Sequence, residues 1–286
     1  MTRRLLSRAG ALRLLLAGLP ALAIAPLACA GNTASPRTLA VAGQERHFNL
    51  FAPDGVQRAP LLITLHGHGQ TAQQIEAMSG WNAVATAHGA VVAYPLSRGE
   101  RWRIFGPHSP DVDFLRTLID ALTAEGLVDP ARVFVNGYSG GAQMSWRFAC
   151  QEPTRVVAAG FVAGAAPDGC GLGDKPPVIL FHGERDSSLP YKDGQRTLDI
   201  PALGQAWAAR EGCRPVATVE ALDGPRQRDE GVRRHRWTCD AAAPVELYSF
   251  RRGEHDWPGH ARSHGSRSVD ATAVMWAFFE AHAPPR

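Results

Sequence analysis

The 286-residue chain has few cysteines, no charge excess beyond its first thirty residues, and no long apolar run after Leu27. Each shortage excludes something. A helix needs about 20 apolar residues to cross a bilayer, and no later segment offers them. The formal net charge is +3, but Arg3, Arg4, Arg8 and Arg13 stand among the first thirty residues with no acid beside them. Without those four arginines the rest carries −1, so neither nucleic acid nor an anionic membrane is expected as partner. None of the five cysteines stands in a C-x-x-C pattern. His255, His260 and His264, with Asp256, lack the helical H-E-x-x-H spacing, and Pro258 and Gly259 interrupt them, so no metal is expected. Internal repeats and low-complexity segments are lacking too.

What is present begins with an export signal. Basic residues precede an apolar stretch, Leu14 to Leu27, and Ala28-Cys29-Ala30 offers a small-residue cleavage site. Thr2-Arg3-Arg4 is a loose twin-arginine pattern. Cys29 offers a lipid anchor as the lesser alternative, with Pro26 where a lipoprotein site prefers Leu or Val. The expected division is a signal peptide over 1–30, a flexible lead over 31–43 and one folded domain over 44–286, secreted or periplasmic. Export makes disulfides possible, and four cysteines remain. Three pairings are conceivable; Cys150–Cys170 and Cys213–Cys239 each close a local loop.

Apolar runs alternate with helical periodicity along that domain. Pro60 to Leu65 and Ala90 to Pro95 read as strands buried on both faces, and Arg132 to Asn136, Pro177 to His182 and Pro244 to Phe250 as strands. Gln44 to Ala52, Val156 to Val162, Val216 to Leu222 and Val232 to Trp237 read as further strands. Helical spacing covers Thr71 to His88, Val112 to Leu122, Ala142 to Cys150, Ile200 to Glu211 and Val269 to His282. Asp223 to Gly231 reads as a polar connection. The alternation predicts an α/β fold with a mostly parallel central sheet and helices on both faces.

Gly137-Tyr138-Ser139-Gly140-Gly141 lies between a strand and a helix. This is the context of a nucleophile elbow, a turn that lifts one hydroxyl clear of the sheet, and it points to an α/β-hydrolase fold. A serine hydroxyl needs an imidazole to take its proton and a carboxylate to orient that imidazole. In this fold the chain order is Ser, acid, His. Asp186, at the end of a strand, is the expected acid, with Glu184 as its rival. His255, after the last strand, is the expected base. Backbone N–H groups of Gly140 and His68 are expected to hold the oxyanion, with Gly69 the neighbour to His68. Tyr138, Trp102 and Trp257 are candidates for an aromatic substrate platform, or for plain packing. No cofactor is required.

Together these residues resemble the secreted esterase group of carbohydrate esterase family 1, feruloyl and acetylxylan esterases, and polyhydroxybutyrate depolymerase-like proteins. The matching pieces are Leu65-His66-Gly67-His68-Gly69-Gln70-Thr71-Ala72, Asp111-Val112-Asp113-Phe114-Leu115-Arg116, the Ser139 elbow, His182-Gly183-x-x-Asp186 with Pro190-Tyr191, and His255-Asp256-Trp257-Pro258-Gly259. Cys213 and Cys239 fall where such proteins often place a disulfide. The resemblance implies Ser139 as nucleophile, Asp186 as acid, His255 as base, and a small or polymeric ester as substrate. Such proteins often have Cys where this chain has His68, and Ala where it has Gly140; neither change removes a backbone donor. A serine peptidase and a non-catalytic binding protein on the same scaffold are the rival expectations.

Overall fold

The computed structural model describes residues 33–164, 175–192, 199–210, 212–222, 224–239, 244–260 and 267–285. The expected signal peptide, Cys29, Cys170 and His264 lie outside them. In chain order the elements are β1 (Ser35–Val41), β2 (Gln44–Phe51), β3 (Ala59–Leu65), α1 (Ala72–Ser79), α2 (Trp81–His88), β4 (Val91–Pro95) and α3 (Pro110–Ala124). There follow β5 (Val128–Tyr138), α4 (Gly140–Gln151), β6 (Ala158–Val162), β7 (Val178–Gly183), α5 (Ile200–Arg210) and β8 (Thr218–Ala221). The last are α6 (Pro225–Glu230), β9 (Val232–Trp237), β10 (Val245–Phe250) and α7 (Ala271–His282).

The strands form one sheet in the order β1-β2-β4-β3-β5-β6-β7-β10-β9-β8. Its centre, from β4 through β3, β5, β6 and β7 to β10, is parallel. Both margins are antiparallel. Every residue of β3, β4, β6, β7 and β10 is buried, which is why these strands read as continuous apolar runs. Alternation along each strand divides the core in two. Leu61, Ile63, Val133 and Val135 face α3, α4 and α5 in one cluster. Leu62, Phe134 and Ile179 face α2 and α7 in the other.

Three local expectations change. Residues 35–41 are not an unstructured lead: they form β1, paired with β2 from Ser35↔Leu50 to Val41↔Gln44. Pairing supplies backbone partners that its polar composition did not advertise. The single helix expected over Thr71 to His88 is two, because Gly80 at φ 66° ends α1 and begins α2. Thr71 and Gln74 close a reciprocal capping box at the start of α1. The polar connection over Asp223 to Gly231 contains α6. A disulfide joins Cys213 to Cys239 across a separation of 26 residues. Among the described residues no helix is long and apolar enough to cross a membrane.

Candidate active site

Parallel β5 ends at Tyr138, and the chain turns directly into α4. Ser139 occupies that turn at φ 55° and ψ −120°, a conformation that costs a non-glycine residue about 1–3 kcal/mol. The neighbours make the strained turn possible. A Cβ at Gly137 would lie 2.5 Å from the Gly141 carbonyl carbon, and one at Gly141 would lie 2.0 Å from the Leu65 oxygen. Only glycine lets β3, β5 and α4 approach so closely. The Ser139 N–H donates to the Val162 carbonyl at 2.9 Å, tying the elbow to β6.

Sheet order brings the other groups to it. β7 and β10 are parallel neighbours, with Gly183 in register with Phe250. The loops that follow them therefore leave the sheet side by side. Arg185 N–H donates to the Gly253 carbonyl at 2.9 Å, and a Cβ at Gly183 would strike that same carbonyl oxygen at 2.3 Å. Asp186 rides on the first loop and His255 on the second. The His255 Nδ1 lies 2.7 Å from Asp186 Oδ2, and its Nε2 lies 2.9 Å from Ser139 Oγ. The sequence expectation thus has its three side chains in one hydrogen-bonded row. Glu184, the rival acid, is engaged elsewhere: it accepts from the Ser249 hydroxyl at 3.1 Å.

Asp186 is 5% exposed. Burial alone would raise its pKa, but hydrogen bonds from His182, His255 and the Leu189 N–H outweigh burial and hold it well below the carboxylate range. The Ser188 and Leu189 N–H groups both donate to Oδ1, at 2.9 and 2.8 Å. His182 Nε2, 3.3 Å from Oδ2, also bonds the Leu189 carbonyl at 2.8 Å. Tyr138 supports His255 from the other side. Its hydroxyl donates to the His255 carbonyl at 2.8 Å, and its ring lies 5.0 Å from the imidazole. Burial, with Asp256 and Asp186 nearby, raises the Tyr138 pKa, so the phenol keeps its proton.

The loop after β3 comes up beside the elbow. A Cβ at Gly140 would be 3.5 Å from the His68 backbone nitrogen, so these two residues adjoin. The Gly69 N–H already donates to the Glu100 carbonyl at 3.0 Å. His66 braces the loop. Its Nδ1 donates to the Gly67 carbonyl at 2.7 Å while Nε2 accepts from the Ser97 N–H at 3.2 Å. Burial lowers the His66 pKa, which keeps the ring in this neutral form.

The aromatic platform does not survive. Trp102 and Trp257 are 4% and 1% exposed. Trp102 donates its indole N–H to the His66 carbonyl at 2.8 Å, and Trp257 donates to the Thr272 hydroxyl at 2.9 Å. Large rings with a single polar atom are better placed inside, where that atom finds a fixed acceptor. Trp102 is a brace of the His66 loop, and Tyr138 a brace of His255. His182 and His66 went unread as site residues. The signal for His182 was its position at a strand end, four residues before Asp186.

Among the described residues no group of three His, Cys, Asp or Glu side chains is arranged to hold a metal ion. Cys150 is disulfide-bonded, and Cys170 is not described.

No family model matches the chain. The curated "Putative esterase NocK" of Nocardia uniformis subsp. tsuyamanensis is 31% identical over 284 residues, covering 86% of this chain and 80% of that protein. The chain belongs to the esterase group of feruloyl and acetylxylan esterases and polyhydroxybutyrate depolymerase-like proteins. This esterase is also similar to feruloyl esterase C of Emericella nidulans, 26% identical over 245 residues, 82% of this chain and 84% of that one. The solved acetyl xylan esterase from Aspergillus awamori superposes with a TM-score of 0.63 at 15% identity, over 86% of this chain and 99% of that one. At that identity the likeness establishes the shared α/β-hydrolase fold. The protein is a carboxylic ester hydrolase.

Proposed function

We propose that this esterase is an exported serine hydrolase that works through an acyl-enzyme, with Ser139 as nucleophile, His255 as base and Asp186 as orienting acid. The observation that carries the proposal is the single imidazole of His255 bridging Ser139 Oγ at 2.9 Å and Asp186 Oδ2 at 2.7 Å. His255 Nε2 takes the hydroxyl proton as Oγ attacks the ester carbonyl, then gives it to the leaving alcohol. Asp186 stays ionised and stabilises the imidazolium. The N–H groups of His68 and Gly140 hold the oxyanion; Gly69 is unsuited because its N–H is engaged with Glu100. Water, deprotonated by the same imidazole, then releases the acid.

The substrate is a feruloyl or acetyl ester of a polysaccharide, or a hydroxyalkanoate oligomer or polymer. Export is supported by the N-terminal pattern and by the Cys213–Cys239 disulfide. Ser139→Ala should leave Tm within about 2 °C while removing turnover of p-nitrophenyl acetate; unchanged turnover would sink the serine mechanism. Hydrolysis of peptide anilides at a rate comparable with that ester would favour the peptidase alternative. A panel of methyl ferulate, acetylated xylan and hydroxybutyrate oligomers assigns the substrate.

A further inference from the structure

A cleft of about 610 Å3 opens between the chain segment following β4 and the start of α3. Arg98, Arg101, Trp102, Arg103 and Asp111 line it. Its one lining carboxylate is already compensated. Asp111 Oδ1 pairs with Arg46 at 2.6 Å, both side chains being 3% exposed, and Oδ2 accepts the Arg103 backbone N–H at 2.6 Å. The three lining guanidinium groups belong to exposed residues, and among the described residues none of them is within ion-pairing distance of a carboxylate. Glu100, the one acid between Arg98 and Arg103, lies 3.8 Å from His68 instead.

One lining residue, Arg101, links the cleft to the loop that carries His68. Arg101 Nε donates to His68 Nε2 at 3.3 Å, and the His68 backbone nitrogen adjoins Gly140. The backbone carrying the arginines is also held in place. Trp102 is bonded to His66, the Glu100 carbonyl to Gly69, and the Arg103 carbonyl to the Ser109 hydroxyl at 2.8 Å. Arg98 also donates to the Gln44 side chain, a neutral partner. Three exposed guanidinium groups on a held backbone, none ion-paired among the described residues, suit a planar anion from solution.

We propose that this cleft is an anion subsite, which takes a carboxylate carried by the ester substrate at a distance from the scissile bond. The inference rests on the serine esterase reading above. Two substrates supply that chemistry: the free acid end of a hydroxyalkanoate oligomer, and a uronic acid on an acylated polysaccharide.

The experiment compares paired substrates that differ only in the charge. One pair is a hydroxybutyrate trimer as free acid and as primary amide. The other is acetylated xylan oligosaccharides with and without a glucuronate branch. The readout is the ratio of kcat/KM within each pair, for wild type and for Arg101→Gln/Arg103→Gln. Wild type should favour the charged member of at least one pair by about tenfold at low salt, with the preference falling to under about threefold in the double variant and in 0.5 M salt. The pair that responds identifies the source of the carboxylate. A ratio near one in wild type for both pairs, or an unaltered ratio in the variant, would overturn the subsite. Calorimetric binding of the trimer acid to Ser139→Ala, with and without the two arginine changes, tests the cleft without turnover. Equal affinity in the two backgrounds overturns the subsite, whereas loss of affinity alongside absent wild-type turnover would indict the esterase mechanism alone.

Discussion

Asp186→Asn is the sharpest perturbation available to this site, because the geometry predicts which way the new amide will face. Two backbone donors, Ser188 and Leu189, converge on Oδ1 at 2.9 and 2.8 Å. They select the amide oxygen for that position. The amide NH2 must then take the place of Oδ2, 2.7 Å from His255 Nδ1. A donor there requires a lone pair on Nδ1, so the imidazole carries its hydrogen on Nε2. That hydrogen points at Ser139 Oγ, 2.9 Å away, and the ring cannot accept the serine proton. The loss expected from a wrong tautomer is about 10⁴ in kcat, or about 5.5 kcal/mol at about 1.36 kcal/mol per tenfold. Shape and hydrogen bonds at Oδ1 persist, so KM should change less than about threefold. Steady-state turnover of p-nitrophenyl acetate, with Tm as a folding control, provides the measurement. A variant that retains more than about a tenth of wild-type kcat would refute the role given to the carboxylate.

Other expectations concern the supports of the site. Trp102→Phe keeps a ring beside His66 but leaves the His66 carbonyl without its indole donor, a loss of about 1–3 kcal/mol. It should lower kcat about tenfold with little change in KM, and a fall in Tm with kcat unchanged would show that the brace is only structural. Cys213→Ser/Cys239→Ser opens a 26-residue loop and should cost about 3.5 kcal/mol in denaturant unfolding, on the chain-entropy account. A change below about 1 kcal/mol would contradict it. The low folded-state pKa of Asp186 also makes stability depend on acid pH. Its contribution is complete above the unfolded value of about 3.9 and is lost as pH falls toward the folded one. The Tm difference between wild type and Asp186→Asn should therefore shrink between about pH 5 and pH 2; a constant difference would deny the linkage.

Much of the site was legible because its parts are local. Gly137 and Gly141 announce a tight crossing of strand and helix, and the crossing is so close that any Cβ meets backbone. The buried strands announced themselves as apolar runs for an equally local reason: neither face meets water. Ser139, Asp186 and His255 follow from their places at strand ends in one chain order.

Contacts between distant segments had no such signature. Two acids stand two residues apart after β7, and only the packing of its loop against the loop after β10 turns Asp186 toward the imidazole and leaves Glu184 with Ser249. The sequence left the amides of His68 and Gly69 as alternatives, and a carbonyl from residue 100 occupies the second. Trp102 and Trp257, which sequence alone left between a substrate platform and plain packing, are inside, because acceptors at His66 and Thr272 await their N–H groups there. Residues 35–41 became a strand because β2 had an edge to pair. Amino-acid order dictates which short pieces form, since propensity, turn chemistry and burial act within a few residues; which polar group meets which is set by long-range packing, since hydrogen bonds need partners within about 3 Å that the chain supplies from anywhere along its length.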